Sequence, residues 1–210
     1  GGGNNSSFTT RVVTSSGTDT FSAIAAAIGS LKGPKHGGAN HRVMGMIQDL
    51  KHNVSDWKDD KQVYDYLVKV IHKEAYDGSG LIYGMGHAVY TISDPRAVLL
   101  KQKAEELAEA TGNTEEFQLY RKIEAFTPEI FAKYKNSTKE MCANVDMYSG
   151  FVYSMLNIPC ELFTPIFAIG RIAGWSAHRI EELNLRSKII RPAYKNVLKK
   201  REYIELENRG

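Results

Sequence analysis

Apolar residues recur along this chain at three- and four-residue spacing, in segments separated by short polar or glycine-containing breaks. That spacing places side chains on one face of an α-helix and predicts an amphipathic helix wherever it persists. A short helix is expected over residues 8–13, broken at Ser15-Ser16-Gly17. Phe21, Ile24, Ala25, Ile28 and Leu31 define the next, with Thr18 as its N-cap and Asp19 in its first turn. Residues 23–27 have almost no polar side, which predicts a buried helix. Val43, Met44, Ile47 and Leu50 mark a third helix, ending near Lys51. Val63, Tyr64, Leu67, Val70 and Ile71 mark a fourth, reaching about Tyr76.

Asp94-Pro95 reads as the N-cap and first residue of a fifth helix, with Ala97, Leu100, Ala104, Leu107 and Ala108 on one face. Thr111-Gly112-Asn113 stops it. Thr114 opens a sixth, carrying Phe117, Leu119, Tyr120, Ile123 and Phe126, with Phe131 and Tyr134 beyond Pro128. From Asn144 the set Val145, Tyr148, Val152, Met155 and Leu156 is helical and ends at Ile158-Pro159. Phe163, Ile166, Phe167, Ala173, Ala177 and Ile180 define the last long helix. Its Gly170, Ala173, Gly174 and Ala177 are small enough to let a neighbouring helix approach closely. Leu81-Ile82-Tyr83 is a short extended piece, and no alternating run is long enough for a sheet. The expected class is all-α.

Composition narrows the class little. The 210 residues are 42% hydrophobic and 24% charged, as in an ordinary soluble globular protein. A formal net charge of +3 without a basic block favours no nucleic acid and suits anionic small molecules equally well. Cys142 and Cys160 are too few for a disulfide framework and read as reduced thiols of an intracellular protein. No apolar run approaches the roughly 18 residues of a membrane span. The opening Gly1-Gly2-Gly3-Asn4-Asn5 is neither a signal nor a transit peptide, so the expected location is cytoplasmic.

Candidate chemistry gathers at three breaks. In Gly33-Pro34-Lys35-His36-Gly37-Gly38, proline ends one helix and two glycines let backbone N–H groups come close to a bound group. An imidazole at such a break is placed like a site residue. Tyr83-Gly84-Met85-Gly86-His87 leads to Asp94-Pro95-Arg96, and Asn144-Val145-Asp146 opens a helix whose dipole favours an ionised acid. Two histidines and an acid at helix–loop junctions are the parts for proton transfer beside a carbonyl. Arg171 interrupts an apolar helix face, which is costly without an anionic partner. Each of these residues also has a plain structural reading: a helix-start acid, loop histidines bonded to backbone, an ion-paired arginine. His41, His52, His72 and His178 form no metal-ligand pattern, and no metal site is expected.

The stretches GPKHGGAN, GMGHAVYTISDPR, NVDMYSGFVYSML and FTPIFAIGRIAGWSAH, with Ile190-Arg191-Pro192, together resemble citrate synthase. The match runs in order to about Arg191 and resembles the C-terminal half of the family's longer chain. The resemblance implies a helical fold with residues 38–150 as a small domain and residues 1–37 and 151–210 as parts of a large one. It implies condensation of acetyl-CoA with oxaloacetate, then thioester hydrolysis to citrate and coenzyme A, with no permanently bound cofactor. Asp146 matches the base, His36 the group that stabilises the enol of acetyl-CoA, and His87 the group that hydrogen-bonds the oxaloacetate carbonyl. Arg96 and Arg171 match carboxylate-binding arginines. Arg191 matches one that reaches into a partner subunit's site, which implies a homodimer. The backbone of Leu81, Ile82, Gly84, Met85 and Gly86 would cradle the coenzyme's adenine, with Lys139 near its phosphates.

Two departures accompany the resemblance. Thr91 stands where the family often places a basic residue for the coenzyme's phosphates. The chain also begins just after the position of another oxaloacetate-binding histidine, so a poorly active or inactive fragment with uncovered apolar faces is expected. 2-Methylcitrate synthase, which extends propionyl-CoA, and a non-catalytic helical ligand-binding protein are the alternatives.

Overall fold

The computed structural model describes residues 4–87, 90–135, 140–185, 188–193, 195, 197 and 200–209. The described residues form eight α-helices: α1 Asn5–Ser15, α2 Thr20–Lys32, α3 Ala39–Asn53, α4 Asp60–Ile71, α5 Pro95–Thr111, α6 Thr114–Lys135, α7 Val145–Met155 and α8 Phe163–Leu185. Among them there is no strand; one isolated antiparallel bridge joins Met85 to Ala143. The fold is all-α, as the spacing predicts.

Side-chain oxygens start α1, α2, α4, α5 and α7, whereas α3 begins at Gly38 without one. Asn4 Oδ1 accepts from Ser6 N at 3.1 Å, and Asn144 Oδ1 accepts from Asp146 N at 2.9 Å. α2 is capped by Asp19 rather than Thr18, with Oδ1 accepting from Ser22 N at 3.0 Å. A carboxylate offers the unpaired N–H groups a full negative charge, which a hydroxyl does not. α4 stops at Ile71, short of Tyr76, because Lys73 and Tyr76 take positive φ values of 67° and 55°. α6 continues through Pro128, with Thr127 and Ile130 buried on either side of it. There, packing outweighs the one ladder hydrogen bond that proline removes.

Two separate apolar cores result. The larger is built from α3, α4, α5, α6 and α7 around Leu50, Leu67, Phe117, Tyr120 and Phe151. Its rings meet at an angle, Tyr120 and Phe151 having centroids 5.1 Å apart. The smaller lies between α2 and α8 and consists of Ala27, Leu31 and Trp175, flanked by Ile24, Phe167 and Ala168. α1 packs against both helices through a buried stripe of hydroxyls, Ser6, Ser7, Thr10 and Thr14. Partners satisfy that stripe: Thr10 Oγ1 donates to Ser6 O at 2.9 Å, and Arg179 Nη1 donates to Thr14 Oγ1 at 3.3 Å. Arg11 pairs with the buried Glu182 at 3.1 Å.

The reading of α2 as buried fails, whereas the expected uncovered apolar faces are present on α2 and α8. α2 is not buried: Phe21 is 88% exposed, Ala25 and Ile28 also face outward, and only Ala23, Ala27 and Leu31 point inward. Gly170, Ala173, Gly174 and Ala177 of α8 are all exposed, and among the described residues no helix lies on them. An all-apolar surface states that a helix tolerates cover; it does not supply the covering element.

Gly37 and Gly38 have a structural reason of their own. A Cβ at Gly37 would lie 2.2 Å from Leu31 O, and one at Gly38 would lie 2.6 Å from Pro34 O. Both glycines are needed for the tight return of the chain on itself, whatever they also leave open to a ligand. Gly37→Ala should therefore lower stability by about 1–3 kcal/mol, the usual cost of overpacking. Gly170→Ala, in open space on an exposed helix face, should be neutral or gain up to about 1 kcal/mol. Urea midpoints of the two variants check this; equal effects would contradict the contact geometry.

Candidate active site

His36 sits in the turn that links α2 to α3. The turn is closed by His36 N and Gly37 N, both donating to Gly33 O, at 2.9 and 3.0 Å. Thr164 of α8 holds it from the other side, donating to Gly37 O at 3.0 Å. The ring's Nε2 lies 3.0 Å from Ser6 Oγ. That hydroxyl also accepts from Trp175 Nε1 at 3.3 Å and lies 2.8 Å from Asn4 Oδ1. Its single proton can go to Asn4 or to His36 Nε2; in the latter case the neutral ring carries its own proton on Nδ1. Burial, and then the charge of Arg171, push the imidazole below its ordinary value, although its own backbone works the other way. His36 is therefore a neutral hydrogen-bonding group at neutral pH.

His87 ends a loop pinned to the start of α7. Gly86 N donates to Cys142 O at 2.8 Å, Asn144 N to Gly84 O at 2.9 Å, and Asn144 Nδ2 to Gly86 O at 2.9 Å. Gly84 and Gly86 take left-handed φ values of 85° and 84°, which a side chain would oppose. His87 Nδ1 accepts from Tyr90 N at 3.1 Å, which leaves the neutral ring's proton on Nε2. Nε2 faces Arg96 Nη2 at 3.4 Å, so two donors stand side by side. An acceptor placed between them satisfies both.

Arg96 is held by the buried Asp94, Nε donating to Oδ1 at 3.0 Å and Nη2 to Oδ2 at 2.7 Å. Burial would raise Asp94, but hydrogen bonds and charge from Arg96 outweigh it and keep the carboxyl below its usual range. Arg171 differs. Its guanidinium lies 5.3 Å from the Phe167 ring centroid, and among the described residues no carboxylate is within ion-pair distance. Burial and then the charge of Arg96 lower its pKa. Asp146, in the first turn of α7, is pushed up to about 6, chiefly by burial; Arg96 opposes the rise and Asp94 adds to it.

These five side chains line one cavity of about 120 Å³, together with Asn4, Asn40, Asn144, Phe163, Thr164 and Phe167. Asn40 donates to Ser149 Oγ at 3.3 Å while its buried Oδ1 has no partner among the described residues. The other expected site residues lie elsewhere. Arg191 is exposed on the C-terminal tail, away from the cavity. Ile82 is buried in the larger core and Leu81 is exposed, so the 81–86 loop offers its backbone more readily than a continuous set of side chains. Lys139 lies outside the described residues. Ser6, Asn4 and Asn40 were not foreseen; a serine at the start of a helix poor in apolar residues was the available signal. Among the described residues no cluster of ligands could hold a metal ion, and no helix is long and apolar enough to cross a membrane.

An all-helical frame that gathers a partly neutral carboxyl, two imidazoles and two guanidiniums around one small void is suited to moving a proton on an anionic carbonyl compound. Comparison with known proteins agrees with that class. The family model for the citrate synthase C-terminal domain matches residues 1–193, and the chain belongs to the citrate synthase family. It is 39% identical over 189 residues to citrate synthase of Synechocystis sp., covering 90% of this chain and 43% of that protein. It is 37% identical over 208 residues to 2-methylcitrate synthase of Shewanella oneidensis, covering 98% and 50%. Citrate synthase of Thermoplasma acidophilum, solved as a ternary complex with carboxymethyl coenzyme A and oxaloacetate, superposes with a TM-score of 0.76 at 29% identity, covering 97% of this chain and 50% of that one. The chain thus spans about half the length of the curated relatives it matches.

The raised Asp146 carboxyl has a consequence for stability. Unfolded, an aspartate titrates near 3.9; folded, Asp146 does so at about 6, so the native state holds the extra proton between those values. Stability from this group is full below about pH 4 and is lost as pH rises to about 6, by on the order of 2–3 kcal/mol. His36, lowered on folding, acts in the opposite sense, favouring the fold as pH rises. Asp146→Asn should therefore gain stability relative to the parent between pH 4 and pH 7. Paired urea melts at those two pH values measure the difference, and a parent that gains on the variant would refute the buried carboxyl.

Proposed function

We propose that this chain supplies the catalytic half of a citrate synthase, condensing acetyl-CoA with oxaloacetate and releasing citrate and coenzyme A. The observation that carries the reading is the meeting of Asp146, His36 and His87 in one cavity, with Arg171, which has no ion-pair partner among the described residues, on its wall. On this reading residues 38–150 are a small domain, and residues 1–37 and 151–210 belong to a large one. Asp146 removes a proton from the acetyl methyl group. Its raised pKa brings it closer to the proton it must take, while leaving it mostly ionised near neutrality. His36 donates to the thioester oxygen as the enol forms, with Ser6 setting which ring nitrogen carries the proton. The neutral state of His36 suits a donor that must not protonate the oxygen prematurely.

Oxaloacetate answers the two donors at His87 and Arg96: its ketone oxygen is the acceptor between them, and its carboxylates meet Arg96 and Arg171. Attack of the enol carbon on that ketone forms the new carbon–carbon bond while His87 Nε2–H protonates the oxygen. Water then attacks the thioester carbonyl and the C–S bond breaks. The backbone of the 81–86 loop and Lys139 hold the coenzyme. Arg191, exposed on the tail, serves the partner's site in a homodimer. Similarity to a 2-methylcitrate synthase keeps propionyl-CoA as a second acyl donor, since one methylene changes binding by only about 1–3 kcal/mol.

Thiol release from the two thioesters with oxaloacetate tests this. The assay uses the chain itself and the chain joined to the N-terminal half of the Synechocystis relative. Faster release from acetyl-CoA is expected in the joined protein, with little or none from the chain alone. Asp146→Asn should cut turnover by about 10²–10⁴, the usual contribution of a positioned base, and leave citrate binding in place. Arg171→Leu should weaken citrate binding by roughly 10- to 100-fold, as loss of a charged hydrogen bond does. Binding without turnover in every form would instead support a non-catalytic ligand-binding protein.

A further inference from the structure

The two cysteines stand in different surroundings. Cys142 Sγ lies 3.6 Å from Tyr90 O, a weak thiol–carbonyl contact. Cys160 opens the short helical turn Cys160–Leu162 between α7 and α8, and its Sγ lies 2.9 Å from Nδ1 of His41 in the first turn of α3. The His41 ring is stacked on Phe163, with centroids 6.0 Å apart and planes at 28°. That stacking fixes which nitrogen meets the sulfur; Nε2 is 4.0 Å away. The pair is not enclosed: Cys160 is half-buried and His41 is exposed.

His41 also lines an open cleft of about 810 Å³ that adjoins the catalytic cavity. Its walls include Ile28, Pro34, Ile169 and Ile172, and its charged groups are Lys32, Arg42 and Glu161. Arg42 also pairs with Asp77 at 3.0 Å. Burial, then Glu161 beside it, hold the Cys160 thiol above its ordinary value. A thiol so placed is inert unless a neighbouring base takes its proton, and His41 is the one base in contact with it among the described residues.

We propose that Cys160 is a modification site, a nucleophilic thiol with His41 as its base that forms a mixed disulfide with small anionic disulfides entering the adjoining cleft. The Cys160 proton passes to His41 Nδ1, and the thiolate attacks one sulfur of the disulfide. The disulfide's S–S bond breaks as the bond to Cys160 Sγ forms. The departing thiolate carries away the electron pair and takes its proton from His41 or water, so Cys160 is oxidised and the leaving sulfur reduced. The apolar walls take the arm of the reagent, and Lys32, with Arg42 partly neutralised by Asp77, favours a negative group at its end against the opposing charge of Glu161. The inference does not depend on the condensation reaction, and its test requires no turnover.

The probe is dithiobis(nitrobenzoate), an anionic aromatic disulfide, applied briefly at pH 6 to the unaltered chain, followed by peptide mapping. Label is expected on Cys160 before Cys142. Cys142→Ser should keep the fast phase and Cys160→Ser should lose it. His41→Asn should slow the reaction roughly tenfold at pH 6, because a higher thiolate fraction is partly offset by the weaker nucleophilicity of a more acidic thiol. The thiolate's ultraviolet absorbance should then titrate at higher pH in His41→Asn than in the parent. Hydroxyethyl disulfide, which is neutral, should show a smaller preference for Cys160. First labelling of Cys142, or an unchanged rate in His41→Asn, overturns the proposal; equal preference for the neutral reagent overturns its charge component. Because the first readout uses the unaltered chain, a variant that fails to fold does not shelter it.

Discussion

Removal of water from one small space is the constraint on which the rest of the site depends. It raises the Asp146 carboxyl, lowers His36 and lowers Arg171. Exclusion of water penalises whichever form of each group is charged, so a carboxyl rises while an imidazole and a guanidinium fall. A single cause thus yields a carboxyl with a raised pKa, a neutral imidazole and a poorly compensated cation. Arg96 limits the effect on Asp146 by facing it with positive charge, and Asp94 limits the freedom of Arg96. Without Asp94 the guanidinium could turn onto Asp146 and hold its carboxylate in an ion pair.

The helices maintain that space through short polar connections rather than apolar packing. Ser6 is the clearest case: one buried hydroxyl links α1 to His36 in the α2–α3 turn and to Trp175 on α8. Asn144 plays the corresponding part between α7 and the loop before His87, through its backbone N–H and its side-chain amide. Each of these groups sits where helix ends meet, and helix ends are where unpaired backbone N–H and C=O groups already require partners. A site assembled there needs few additional polar residues, because the same side chains cap helices and aim the reacting groups.

This arrangement explains which parts were legible from residue order. Helix identity was readable because the apolar spacing is local, and Asp94-Pro95 and Asn144 were readable because capping acts within three residues. His36, His87, Asp146, Arg96 and Arg171 were singled out by position at breaks and by resemblance. Their assembly into one cavity joins residues more than a hundred positions apart, which spacing does not encode. Ser6 was missed for that reason: its hydroxyl has meaning only beside His36, thirty residues on. The exposure of α2 was misread because an apolar surface is a property of the helix while its cover is a property of another element. For Gly37 and Gly38, position in a break was legible, but whether a ligand or the chain's own carbonyls required them was not.

The uncovered faces of α2 and α8 bear on how the cavity can work. Phe167 and Arg171 extend into it from α8, Leu31 reaches it from the end of α2, and Trp175 joins the two helices behind. The core between them has only three fully buried members, against the extensive core of α3 to α7. α1 completes that wall by packing on both helices through its hydroxyl stripe, so polar contacts hold it where the apolar core is small. The titratable groups of the cavity divide between the two sides. Asp146 and His87 are fixed to the well-packed side through α7 and the Asn144 contacts. His36 hangs between them, held to α1 and α8 through Ser6 and Trp175 and to α3 by two glycines that tolerate no side chain. The placement of His36 relative to the Asp146 carboxyl is thus set by the packing of α1, α2 and α8, so an element that covers α2 and α8 would bear on the side of the cavity that carries His36 and Arg171.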